Sequence, residues 1–120
     1  MPNEIQLVSG EILFGEGSEA FSGGTVYVRL EDVSRADAPS RIVAEQVIRH
    51  VGYQPGQTGA LTFELRGQVP DEHTRYIVSV HVDVDGDGQV SRGDYITMES
   101  YPVLTHGYPH VVIVRLRKVK

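Results

Sequence analysis

Short segments in which every second residue is apolar are the feature that most constrains how this chain folds. In Tyr76–Asp83, for example, tyrosine and valine alternate with other side chains, and β-branched residues dominate. A two-residue period lets a strand bury one face, whereas a helix needs a period near 3.6. The candidate strands are Ile5–Phe14, Gly24–Leu30, Arg41–Val51, Ala60–Arg66, Tyr76–Asp83, Asp94–Tyr101 and His110–Val119. Glycine and proline turns separate them, so the sequence predicts an all-β fold, a single antiparallel β-sandwich of about seven strands.

One of these segments, Arg41–Val51, also allows a helical interpretation. Its apolar residues can be assigned either to a helical stripe or to one side of a strand. The two sets of positions are Ile42, Val43, Val47 and Ile48 for the helix, and Ile42, Ala44, Gln46 and Ile48 for the strand. Pro39 and Gly52 flank the segment and leave little room for a capped helix, so the strand is favoured.

Length and charge define the broad class of the protein. A chain of 120 residues with 40% hydrophobic content is one domain, residues 1–120, that can bury a core. It contains no cysteine, which excludes disulfides and thiolate metal sites. The net charge of −5 disfavours binding to nucleic acid or anionic membrane, and no apolar run reaches the roughly 18 residues needed for membrane insertion. Another protein is the expected partner.

The cellular compartment stays open at this level. The first residues, Met1–Ile5, lack the basic start and apolar run of a secretory signal. We therefore expect a cytoplasmic protein, or a periplasmic or cell-envelope protein if a leader has been removed. The sequence does not determine the oligomeric state.

The segment Asp83–Asp94 has the spacing of a twelve-position, EF-hand-like calcium loop. Aspartates stand at positions one, three, five and twelve, and Gly88 at position six allows the sharp turn. A calcium ion takes about six to eight oxygen ligands, which such a curled segment can supply from alternate residues. The predicted metal ligands are Asp83, Asp85, Asp87, Gln89 through its carbonyl, and Asp94.

An Asp/Gly-rich hairpin tip without metal is the alternative interpretation of this loop. It accounts for Gly86 and Gly88 but not for four carboxylates at ligand spacing, which repel one another unless a divalent ion is bound. Asp94 is shorter than the glutamate usual at the closing position, so we expect weaker Ca²⁺ binding with competition from Mg²⁺. Because strand-like segments flank the loop, the ion is predicted to be structural. A calcium-responsive sensor is the alternative function.

The stretch Val26–Pro39, VYVRLEDVSRADAP, closely resembles the YbaY-like lipoproteins, which are grouped with the pilotin-type (YscW-like) lipoprotein chaperones of type III secretion. In that family a strand ends in an LxDVSxxDAP turn and is followed by a segment like Ile42–Gln46. The resemblance continues in the strand patterns around Leu61–Leu65 and Tyr76–Val82. It implies a compact β-sandwich that holds or pilots an outer-membrane protein partner. The calcium loop is an addition to the family pattern.

The same motif has a direct physical interpretation. Asp32, Ser34 and Asp37 are expected to accept hydrogen bonds from nearby backbone N–H groups, and Pro39 to hold the exit extended. The motif is therefore predicted to form a hydrogen-bonded corner of the sandwich.

No catalytic constellation is evident in the sequence. None of the five histidines has the close spacing of metal ligands, and His81, on the same strand face as Asp83, is expected to form a hydrogen bond. There is no nucleophile elbow and no phosphate-binding glycine motif. The sequence predicts a noncatalytic protein, with a small hydrolase as the remaining alternative. The basic segment Arg115–Lys120 is expected to form the solvent side of a last strand and to protect an exposed edge.

Overall fold

The computed structural model describes residues 4–15, 17–35, 37–56 and 61–120, and these contain eight β-strands and no α-helix. Ala36 of the resemblance motif and Ala60, the predicted start of the fourth strand, lie outside the described residues. The strands are β1 Ile5–Phe14, β2 Phe21–Asp32, β3 Arg41–Tyr53, β4 Leu61–Gly67, β5 Tyr76–Asp83, β6 Tyr95–Thr97, β7 Pro102–Val103 and β8 Val111–Lys118. The all-β prediction is confirmed, and Arg41–Val51 is a strand.

The strands form one sheet in the order β3-β2-β5-β6-β8-β1-β4, with β7 paired to β5. The sheet curls so far that its two edge strands, β3 and β4, approach each other, and the Glu64 N–H donates to Gln46 Oε1 across this seam at 2.8 Å. Two details therefore differ from the predicted antiparallel sandwich: the layers belong to one continuous sheet, and one strand pair is parallel. Strand twist and curl let a single sheet enclose its own core.

The parallel pair joins the first and last long strands, β1 and β8, with Ser9 opposite Val111 and Phe14 opposite Leu116. On its other side β1 pairs antiparallel with β4. The basic strand β8 is therefore an interior strand, and the prediction that its charges protect an exposed edge is wrong. Alternation of apolar and polar residues predicts which face of a strand is exposed to solvent but not where the strand lies in a sheet.

The strand predicted after the loop is also shorter than expected, because β6 ends at Thr97. The Val80 N–H donates to Thr97 Oγ1 at 3.2 Å, and the Val78 N–H donates to the Tyr101 carbonyl at 3.0 Å. A side chain thus takes a ladder position, and residues 98–100 bulge away before β7 resumes the pairing. Thr97 offers the hydroxyl that makes this interruption possible.

The core fills the inside of the curled sheet with the apolar residues that alternate along the strands. Valine dominates β2 and β5, and Tyr95 is the largest of the fully buried side chains. The core includes Val8, Ile12, Val26, Val28, Leu30, Phe63, Leu65, Val78, Val80, Val82, Tyr95, Val114 and Leu116. Burial of this apolar surface is the main driving force of the fold.

Among the residues that the structure describes, no helix has the length and apolar character needed to cross a membrane.

The resemblance motif forms the predicted corner at the end of β2. Asp32 Oδ1 accepts from the Ser34 N–H at 2.9 Å, and Ser34 Oγ accepts from the Arg75 N–H at 2.9 Å. No corresponding bond from Asp37 is present among the described residues. The corner ties the end of β2 to the start of β5.

Candidate functional site

The predicted calcium loop connects β5 and β6, which pair antiparallel through His81–Ile96 and Val82–Tyr95. Oxygens of all four aspartates lie within 4.8 Å of one another. Asp83 and Asp94, the first and last of them, are 2% and 0% exposed, whereas Asp85 and Asp87 are exposed. The structure thus brings together the four carboxylates chosen from the sequence.

Asp83 organises the backbone of the loop. Its Oδ1 accepts from the Gly86 N–H at 3.0 Å and its Oδ2 from the Gly88 N–H at 2.8 Å. Gly86 and Gly88 have φ values of 77° and 76°, which side-chain-bearing residues adopt at a cost. These two glycines allow the chain to turn twice around one carboxylate.

The two exposed aspartates, Asp85 and Asp87, also accept hydrogen bonds from the loop backbone. Asp85 Oδ1 accepts from the Asp87 N–H at 3.4 Å, and Asp87 Oδ1 accepts from the Gln89 N–H at 3.0 Å. Asp85 Oδ2 also accepts from Ser91 Oγ at 3.1 Å. The fifth predicted ligand, Gln89, is exposed in the same loop. Successive backbone bonds therefore hold each carboxylate in place.

The closing carboxylate, Asp94, has a partner that sequence reasoning missed. His81 Nε2 lies 2.8 Å from Asp94 Oδ2, and the Val84 N–H donates to Asp94 Oδ1 at 3.0 Å. The sequence predicts that His81 forms a hydrogen bond on the strand face that it shares with Asp83, and in the structure its partner is Asp94. Since His81 pairs with Ile96, Asp94 lies diagonally across the hairpin from it. Identifying Asp94 as the partner of His81 requires the register of the β5–β6 hairpin, which residue spacing along β5 does not give.

The surroundings of one loop carboxylate, Asp85, favour its ionised form. Desolvation raises the pKa of the Asp85 carboxyl, but hydrogen bonds with Asp83, Ser91 and Asp87 outweigh it and hold the pKa below its ordinary value. Ionised aspartates with remaining oxygen lone pairs are ligands for hard cations such as Ca²⁺ and Mg²⁺. The arrangement has the chemistry of a cation site.

A separate cleft of about 450 Å³ lies where the edge strands meet, between the start of β3 and the connection from β4 to β5. Its lining combines apolar and polar side chains: the apolar ones include Leu7, Leu30, Ile42, Val43, Val69 and Pro70, and the polar ones are Arg41, Gln68 and Asp71. Val69 is 73% exposed and Ile42 is 49% exposed. Sequence reasoning placed Ile42 on a strand but did not identify this cleft, because it forms only when β3 and β4 approach each other.

Comparison with known proteins identifies the family. The model of the type III secretion system lipoprotein chaperone (YscW) family matches residues 3–116. A solved structure of an alternative pilotin from the type II secretion system of Vibrio cholerae superposes with a TM-score of 0.77 at 28% identity, covering 98% of this chain and 99% of that chain. No curated protein matches the chain. Neither finding concerns metal binding, which stays a prediction.

The match extends the resemblance seen in Val26–Pro39 to nearly the whole chain and confirms the predicted pilotin-type relationship. Lipoprotein chaperones of this kind are accessory proteins that bind another protein and do not catalyse a reaction, so the noncatalytic prediction is confirmed. The chain belongs to the type III secretion system lipoprotein chaperone family.

Proposed function

We propose that this protein is a pilotin-like chaperone that binds an outer-membrane protein of a secretion system through the cleft between β3 and β4. The proposal is supported by the family match over residues 3–116 and by the pilotin structure that covers nearly the whole chain. The cleft is the observation that carries the choice of surface. Exposed apolar side chains concentrated in a concave site are typical of sites that bind other proteins.

The chemistry of the cleft suits an apolar segment of the partner. Ile42, Val43 and Val69 stand exposed around a lining that continues to the buried residues Leu7 and Leu30. Arg41 and Asp71 lie at the rim, where charged side chains can pair with polar groups of the partner. A partner segment that covers these side chains would remove them from water, which is the main source of affinity at such sites.

The test is a pair of charge-introducing variants, Ile42→Asp and Val69→Asp. Both positions are exposed, so folding is expected to persist, while a carboxylate in the cleft opposes apolar contact. We expect each variant to lower affinity by about tenfold or more, since about 1.4 kcal/mol corresponds to tenfold. The measurement is co-purification with the outer-membrane secretion protein encoded in the same genome, with delivery of that protein to the outer membrane as a second readout.

The matched control is Val111→Asp, which changes an equally apolar side chain, 57% exposed, on β8. This variant is expected to bind the partner like the unaltered protein. Equal binding of the partner by all three variants would show that the cleft is not the binding surface.

We also propose that Asp83, Asp85, Asp87, Asp94 and the Gln89 carbonyl bind Ca²⁺, with Mg²⁺ as a competitor, and that the ion stabilises the hairpin of β5 and β6. The proposal is supported by the four carboxylates within 4.8 Å of one another and by the backbone bonds that position them. Neutralising their mutual repulsion is the expected source of stabilisation.

The loop is directly linked to the core. Tyr95, which follows Asp94, is 1% exposed and contacts Phe14 and Phe21 with ring centroids 5.3 and 5.7 Å apart. Its hydroxyl accepts from the Glu19 N–H at 2.8 Å. An ion that holds Asp94 therefore also holds the aromatic group at this end of the sheet, so bound calcium should raise global stability.

Thermal melts with added Ca²⁺ and with chelator test this proposal, using the double variant Asp85→Ala/Asp87→Ala. These two residues are suitable because they are exposed and their backbone hydrogen bonds lie at the surface. Asp83 and Asp94 are buried and bind the backbone there, so loss of either would destabilise the protein without any metal. At free Ca²⁺ about a hundredfold above Kd, the stabilisation is about 2.7 kcal/mol. We expect Ca²⁺ to raise the Tm of the unaltered protein and to leave that of the double variant unchanged.

The control, Asp37→Ala, removes an exposed aspartate outside the loop and should keep the full response to Ca²⁺. A Tm of the unaltered protein that does not respond to either Ca²⁺ or Mg²⁺ would refute the metal site and leave the chaperone proposal standing.

A further inference from the structure

A groove of about 720 Å³ lies beside the end of β8, between the glycines that follow β1 and the bulge that follows β6. Four of the chain's 11 lysine and arginine residues line it, although the chain as a whole has a net charge of −5. These four are Arg115, Arg117, Lys118 and Lys120, and no described residue of the lining is acidic. Positive charge is therefore concentrated in one concave site, which suits an anionic ligand.

The ion pairs around the groove leave part of this charge without a partner. Arg117 Nη2 lies 3.9 Å from Glu99 Oε1, and Lys118 Nζ lies 3.0 Å from Glu19 Oε2. The two glutamate side chains are 58% and 73% exposed, so water screens both pairs. Arg115 forms no ion pair with a carboxylate among the described residues. Neighbouring cations repel one another, and a bound anion relieves that repulsion.

Strand β8 presents two of the cationic side chains on one face. Arg115 and Arg117 are separated by one residue of the strand, so their side chains leave the same face about 7 Å apart. Both are exposed, whereas Leu116 between them is buried in the core. The Arg115 N–H donates to Tyr101 Oη at 2.9 Å, which holds this part of β8 in place. A guanidinium offers parallel N–H donors that match two oxygens of a phosphate group.

The glycine part of the lining leaves room for a ligand. A Cβ at Gly15 would lie 2.8 Å from the Leu116 carbonyl oxygen, and Gly17 has a φ of 82°. Both positions therefore favour glycine, and the absence of side chains lets a ligand approach the backbone closely. Met98, on the bulge after β6, is 54% exposed and adds an apolar surface to the groove.

The size of the groove and the spacing of its charges favour one class of anion. Sites for small molecules are typically about 300–1,000 Å³, and this groove falls within that range. An acidic peptide spreads its charges along an extended chain, whereas these cations are concentrated in residues 115–120. A phosphate group places up to about two negative charges and three acceptor oxygens at one point, which matches that concentration.

We propose that this groove binds a ligand that carries a phosphate group. Arg115 and Arg117 donate to the phosphate oxygens, Lys118 adds positive charge, and Met98 contacts the part of the ligand next to the phosphate. The groove shares no lining residue with the cleft between β3 and β4, so this site is separate from the proposed partner-binding surface. The phosphate belongs either to a lipid headgroup or to a free phosphate compound, two sources that the experiment distinguishes.

The first measurement is a titration with sodium pyrophosphate and with glycerol phosphate, followed by NMR shifts of the Gly15 and Gly17 amides and the Met98 methyl group. EDTA is present because a phosphate compound would otherwise bind through a cation held by the loop Asp83–Asp94. The second measurement is sedimentation with vesicles of phosphatidylcholine, alone or mixed with an equal amount of phosphatidylglycerol. Shifts with the soluble compounds indicate a free phosphate ligand, and binding to the phosphatidylglycerol vesicles alone indicates a headgroup.

The variant that tests the groove is Arg115→Gln/Arg117→Gln, which removes two exposed guanidinium groups and leaves the buried side of β8 unchanged. It is expected to weaken binding by about tenfold or more, because hydrogen bonds between charged groups are lost. The matched control, Arg49→Gln/Arg66→Gln, changes the net charge equally at exposed positions on β3 and β4 and should bind like the unaltered protein. The NMR spectrum of each variant reports whether it is folded.

Three results would overturn the proposal. The first is the absence of shifts with either soluble compound together with equal sedimentation with both kinds of vesicle. The second is equal weakening in the two double variants, because net charge and not the groove then determines binding. The third is a hexaglutamate peptide that binds as tightly as pyrophosphate, because the groove then recognises negative charge of any kind.

Discussion

At the scale of single residues, carboxylates set the local structure at several points of this chain. Asp83 binds the backbone N–H groups of Gly86 and Gly88, and Asp32 binds that of Ser34. Glu31 accepts from the hydroxyls of Ser40 and Ser79, which joins β2 to β5. Each carboxylate accepts from groups that would otherwise need water, so each holds a neighbouring part of the chain through hydrogen bonds.

Asp32 gives a prediction about pH. The backbone hydrogen bond from Ser34 lowers the pKa of this carboxyl, and Arg41 and Arg35 lower it further. A folded-state pKa below the unfolded value stabilises the protein above the unfolded pKa, about 3.9, and the contribution is lost as pH falls through the folded value. Asp32→Asn should therefore reduce the free energy of unfolding by about 0.5–1.5 kcal/mol at pH 7, and less at pH 2. Urea melts at the two pH values measure this.

The control for Asp32 is Glu72→Gln, whose side chain is 86% exposed beside His73. Its melts should match those of the unaltered protein at both pH values, because exposed ion pairs contribute little. A deficit for Asp32→Asn that is as large at pH 2 as at pH 7 would contradict an electrostatic origin.

At the scale of elements, β1 shows that a sequence predicts where a strand begins and ends more readily than what its residues contact in the sheet. Ile5–Phe14 was predicted with its correct bounds. The structure places Gly10 inside the sheet, opposite Phe63 of β4 and Val112 of β8. A Cβ at this position would lie 1.8 Å from the Val112 carbonyl oxygen. Gly10 is thus required by close approach of a neighbouring strand, which a single strand's sequence cannot reveal.

Gly10→Ala is accordingly expected to destabilise the protein by about 1–3 kcal/mol, because the added methyl group must push apart two backbones. Gly52→Ala is the matched control: its Cβ would lie 3.3 Å from the nearest atom, the Phe21 carbonyl oxygen. We expect less than about 1 kcal/mol there. Chemical denaturation of both variants measures the difference, and equal losses would contradict the steric explanation.

At the scale of the whole molecule, local sequence patterns predicted the individual strands, whereas hydrogen bonding between distant strands decided their order in the sheet. Alternation in Tyr76–Asp83 and in the other segments predicted which side chains enter the core, since that depends only on a strand's own period. Strand order and the β1–β8 pair depend on contacts between distant segments. The same distinction holds for the candidate sites: the four aspartates are close in sequence and were predicted, whereas the His81–Asp94 contact and the cleft between β3 and β4 required the assembled sheet.

The near-closure of the sheet gives the last prediction. Gln46 on β3 accepts from the Glu64 N–H of β4 at 2.8 Å, so a side chain satisfies a donor on an edge strand. Gln46→Met keeps the length of the side chain but removes the acceptor, and we expect a loss of about 0.5–1.5 kcal/mol. Amide hydrogen exchange at Glu64 should accelerate, while Gln6→Met, an exposed control on β1, should leave it unchanged. Because this bond spans the seam beside the cleft, unchanged exchange at Glu64 in Gln46→Met would show that the two edges are held together by apolar packing alone.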